Sequence, residues 1–79
     1  MIRFPYKVYL TLPERTAKSD LNKTIMDLRP ASYKIHNLSF VQFEWEFKSS
    51  IHRDNIVDKI KNAVSNLPPD KFAISILDV

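Results

Sequence analysis

Seventy-nine residues, 44% of them hydrophobic and 27% charged, with a net charge of +3, describe one folded domain over residues 1–79. A core this small supplies about a few kcal/mol of net stability. The absence of cysteine excludes disulfides, thiolate nucleophiles and cysteine-based zinc or iron–sulfur sites, and it suits a reducing, cytoplasmic setting. The absence of glycine excludes a P-loop, a dinucleotide-binding fingerprint and a G-x-S-x-G nucleophile elbow, all of which need backbone that only glycine adopts freely.

The first seven residues contain no apolar run of the kind a secretory signal needs, and no later run is long enough to span a bilayer. From Tyr6 to Leu12 apolar and polar residues alternate, with Tyr6, Val8, Leu10 and Leu12 on one side. That is a half-buried strand, closed by Pro13. From Thr16 the period changes: Ala17, Leu21, Ile25 and Leu28 fall on one stripe of a helix, with Thr16 as N-cap and Pro30 as the stop. Ser32 to His36 is a short strand, with Tyr33 and Ile35 on one side, and Asn37, Leu38 and Ser39 form the turn after it. The strongest alternation is Phe40 to Phe47. It puts Val41, Phe43, Trp45 and Phe47 on one side and Phe40, Gln42, Glu44 and Glu46 on the other. Ser49 and Ser50 are candidate caps for a second helix to about Leu67, whose stripe is Ile56, Ile60, Ala63, Val64 and Leu67. Pro68 and Pro69 end it, and Lys71 to Val79 reads as a last strand with Phe72, Ile74 and Ile76 inward.

The order β-α-β-β-α-β, with right-handed crossovers, predicts a ferredoxin-like α+β fold: a four-stranded antiparallel sheet of order 4-1-3-2 with two helices on one face. Its other face is open. By parity that face carries Lys7, Tyr9, Thr11, Lys34, His36, Phe40, Gln42, Glu44, Glu46, Ala73, Ser75, Leu77 and Val79. Tyr9, Phe40, Leu77 and Val79 are apolar anchors in an otherwise polar surface, with Gln42, Glu44 and Glu46 around them. The last strand is apolar on both faces and lies at an edge, an arrangement that invites pairing.

Short stretches resemble known families of this fold. Val8 to Pro13 resembles the first-strand signature of RNA recognition motifs, and Phe40 to Phe43 the second half of their third-strand signature. That resemblance implies base stacking on Tyr9 and Phe40, with Lys7, Lys34 and Lys48 near phosphates. Leu38 stands where those motifs carry a second aromatic. Lys7 to Leu12 is similar to the opening of the small subunit of formylglycinamidine ribonucleotide synthetase, which implies dimerisation and protein contact. Leu12 to Glu14, with Asp20 and Leu21, resembles the start of the elongation-factor nucleotide-exchange domain.

Catalytic and metal-binding groups have structural readings. His36 and His52 have no nearby His or Cys to complete a zinc set. Asp54 and Asp58 sit in the early turns of a helix, where the macrodipole favours acids. Ser49 and Ser50 near His52 and Asp54 are caps rather than a triad. Lys59 and Lys61, with Asn55, Asn62 and Asn66, make a solvated helix face. The expectation is therefore a non-enzymatic interaction module without cofactor, metal or membrane contact. It binds a protein partner or itself through Tyr9, Phe40, Gln42, Glu44, Leu77 and Val79, with single-stranded RNA as the alternative ligand.

Overall fold

The computed structural model describes residues 4–17, 19–36 and 39–78. Among them the chain runs β1 (Tyr6–Pro13), α1 (Glu14–Ala17), α2 (Leu21–Asp27), β2 (Ser32–His36), β3 (Phe40–Phe47), α3 (Ser50–Ala63), a short 3-10 turn (Pro69–Lys71) and β4 (Ala73–Asp78). The four strands form one antiparallel sheet of order β2-β3-β1-β4, which from the other edge reads β4-β1-β3-β2.

The two central strands carry the core because they alternate most strongly. Val8, Leu10 and Leu12 of β1 stand opposite Trp45, Phe43 and Val41 of β3, and all six are buried. Ala17, Ile25, Val57, Ile60 and Val64 of the helical layer close over them. Trp45, expected in the core, is buried, and its indole Nε1 donates to the Leu28 carbonyl at 2.9 Å. This satisfies a buried polar group and ties the middle of the sheet to the end of α2.

The first helix is not the single span from Thr16 to Leu28 that periodicity suggests. It starts at Glu14 and is divided into α1 and α2, so Thr16 lies inside α1 rather than capping it. The cause is Ser19. Its hydroxyl donates to the Thr16 carbonyl at 2.6 Å and accepts from the Leu21 amide at 3.3 Å. A serine side chain here gives the backbone a partner that competes with the helical ladder. The buried stripe of Ala17 and Ile25, with Leu21 and Leu28 packed against it, survives the break.

Helix α3 starts as expected, with the Ser49 hydroxyl accepting from the Ile51 amide at 3.2 Å, while Ser50 is already helical. It stops at Ala63 rather than Leu67. Ser65 donates both its amide and its hydroxyl to the Asn62 carbonyl, at 3.3 and 2.8 Å, which tightens the chain into turns before Pro68. Val57, absent from the expected stripe, is buried with Ile60 and Val64. Strand β4 begins at Ala73, because the turn over Pro69–Lys71 uses the residues before it.

Helix α2 ends in the left-handed region. Arg29 has φ of 57° and donates its amide to the Met26 carbonyl at 3.0 Å. This is the position where glycine is usual, and the chain has none.

Candidate functional site

The helices centre on β1 and β3, and both edge strands are left partly uncovered. Ile76, expected inward, is 51% exposed, and Tyr33 and Ile35 on the same side of the sheet are 59% and 56% exposed. Parity places these residues on the helical side, but among the described residues no helix covers them. Beside β2, Tyr33 and Ile35 join Met26, Asn22, Val41 and Phe43 in an apolar groove of about 280 Å³.

The open face is organised by register into rows that cross the strands. One row is Glu46, Lys7 and Leu77; the next is Ser32, Glu44, Tyr9 and Ser75; the third is Lys34, Gln42, Thr11 and Ala73; in the last, Phe40 stands opposite Pro13. Successive rows are two residues apart, about 6.7 Å. Leu77, 46% exposed, and Phe40, also 46% exposed, therefore lie at opposite ends of the face, roughly 20 Å apart along the strands. Tyr9 lies between them. The expected anchors do not converge on one patch. Val79 lies outside the described residues, as do Asn37 and Leu38 of the turn.

The middle of the face is polar. Glu44 receives the Ser32 hydroxyl at 3.1 Å and lies 3.9 Å from the Lys7 ammonium, which is also 3.8 Å from Glu46. The Tyr9 hydroxyl donates to Glu44 as well. This hydrogen bond, reinforced by desolvation and by the charges of Glu44 and Glu46, holds the Tyr9 phenol above its ordinary value of 10.0. Glu44 is thus the hub of the face rather than part of a polar rim. Ser32, the partner that sequence reasoning left out, is visible only once the β2–β3 register is known. Tyr9, Ser32, Lys34, Gln42 and Glu44 line a shallow polar depression of about 290 Å³.

Lys48 does not join this face: its ammonium lies 5.9 Å from the centre of the Phe4 ring. The other candidates are surface groups. His52, Asp54 and Asp58 are exposed, and Asp54 pairs with the Arg53 side chain at 2.7 Å. Arg53 itself lies over the Tyr6 ring, 5.1 Å from its centre. Among the described residues no group of three or more His, Cys, Asp or Glu is arranged to hold a metal ion, and no helix is long and apolar enough to cross a membrane. Neither a protein-family model nor a curated protein matches the chain.

Proposed function

We propose that this chain is a non-enzymatic protein-interaction module of ferredoxin-like topology. It acts in the cytoplasm as a regulator, inhibitor or small subunit, and it engages a protein partner or a second copy of itself along β4. The observation that carries this reading is the state of β4. It is an edge strand, and it exposes Ile76 on the helical side and Leu77 on the open side. An edge that is apolar on both faces costs solubility unless something covers it. The groups that could suggest catalysis have other uses: Ser49 caps α3, and Asp54 pairs with Arg53.

Single-stranded RNA binding draws less support. Tyr9 and Phe40, the two stacking candidates, are two rows apart, about 13 Å along the strands. The hydroxyl of Tyr9 is engaged by Glu44, whose charge opposes phosphate.

The test is capture from an extract of the source cells on immobilised wild type, Leu77→Asp and Phe40→Ala, with nucleic acid and protein analysed separately. A protein, either another copy of this chain or a different one, that is held at high salt and lost with Leu77→Asp is the expected result. Capture of RNA that weakens steeply with salt and strengthens with Glu44→Lys refutes the proposal.

A further inference from the structure

We infer that β4 pairs antiparallel with β4 of a second copy, about a two-fold axis through Ser75, joining two four-stranded sheets into one of eight strands. The inference rests on the interaction reading above and names its partner.

Three observations converge. First, β4 is hydrogen-bonded to β1 along one side only, and among the described residues no strand lies on its other side. Its backbone donors and acceptors there are a template for another strand. Second, the two edges of the sheet are unequally protected. β2 carries Lys34 at its middle, a common device against edge pairing, whereas Ala73 to Leu77 of β4 holds no charge. Pairing β4 with β2 of another copy sets Lys34 into an apolar junction, and being head-to-tail it leaves a free edge at each end of a pair of copies.

Third, β4 is complementary to itself in one register. Directly opposed residues of antiparallel strands share a face. With the axis at Ser75, Ile74 stands opposite the partner's Ile76, and Ala73 opposite the partner's Leu77. Each junction residue that is exposed and apolar in the single chain then meets an apolar side chain. With the axis at Ile76 instead, Ile74 meets the partner's Asp78. A two-fold axis normal to the sheet keeps both helical layers on one side. They do not collide, because the helices centre on β1 and β3 and leave Ile76 uncovered. Ile74 already packs against the core, so the junction extends each hydrophobic core into the other.

Sedimentation equilibrium of the purified full chain at low and high salt tests this. The expected result is a dimer whose affinity changes little with salt. Leu77→Lys weakens it by on the order of tenfold or more, because both copies lose the leucine. Adding Ala73→Glu recovers several-fold, because the introduced acid and base then face each other twice across the axis. Lys59→Ala, on the exposed side of α3, leaves affinity unchanged. Hydrogen exchange of the wild type, with no substitution to unfold it, shows protection of the β4 amides rising with concentration. A wild type that stays monomeric at millimolar concentration overturns the inference. So does a dimer indifferent to Leu77→Lys, or a folded double variant that regains nothing. A monomer that still captures a different protein through Leu77 sinks the self-pairing alone; a monomer that captures no protein sinks the interaction reading with it.

Discussion

Replacing Arg29 with glycine is expected to stabilise the protein. Arg29 closes α2 with φ of 57°, where its Cβ crowds the following carbonyl at a cost of roughly 1–2 kcal/mol. The contacts offset little of this cost, since the Arg29 side chain is exposed and the hydrogen bond its amide donates to the Met26 carbonyl belongs to the backbone and survives substitution. Pro30, next in sequence, has no amide to donate and disfavours continuation of the helix, so the turn is held in place from both sides. Glycine removes the steric cost but frees the unfolded chain, which takes back about 0.5–1 kcal/mol. The net gain centres on about 0.8 kcal/mol within a span of about 0–1.5 kcal/mol, a rise in Tm of roughly 3–6 °C at the centre for a domain of this size. Arg29→Ala keeps the Cβ and serves as the control, with a change within about 0.5 kcal/mol of zero. Urea unfolding and calorimetry of the three proteins decide it. If glycine is no more stable than alanine, the left-handed turn stores no strain and the reasoning fails.

Two further perturbations probe the sheet. The raised pKa of Tyr9 means that the folded chain keeps a proton the unfolded chain gives up, so this contribution to stability is complete below pH 10.0 and is lost as the pH rises through the folded value. Alkaline absorbance titration, with the Tyr9 step assigned by its loss in Tyr9→Phe, should show that step above 10.0 in the wild type and lower in Glu44→Gln; an unmoved step refutes the role given to Glu44. Trp45→Phe removes the indole donor from the Leu28 carbonyl and leaves a small void. The expected cost is about 2–3 kcal/mol in urea unfolding, and a loss below about 0.5 kcal/mol shows that the bond between sheet and helix contributes nothing.

Much of the sheet is legible in the sequence because strands with one buried face must alternate. Val8, Leu10 and Leu12, and Val41, Phe43 and Trp45, show their burial in their spacing alone. The break between α1 and α2 is harder to read, because one serine hydroxyl redirects the backbone while the apolar stripe continues across it. Val57 escapes because a helix three to four residues per turn offers two neighbouring stripes, and packing chooses between them. The exposure of Tyr33, Ile35 and Ile76 is not encoded in parity at all: it depends on how far the helices reach across the sheet. The site was readable as a set of residues sharing a face, but not as an arrangement. Register alone separates Phe40 from Leu77 and brings Ser32 to Glu44.

The central position of β1 bears on how the chain is made. Its neighbours are β3 and β4, and β4 begins sixty positions after β1 ends, from Pro13 to Ala73. At about 5–20 residues per second, the ribosome takes roughly 3–12 s to cover that interval. β3 is complete only at Phe47, so for the last part of that time, roughly 1–5 s, β1 can pair with β3 while its other side stays open, with Val8 and Leu10 lacking their neighbours Ile76 and Ile74. The strand that exposes an apolar edge in the finished protein is thus also the one that closes an apolar edge during synthesis. Slow translation between α3 and β4 would lengthen the interval in which another chain could take its place.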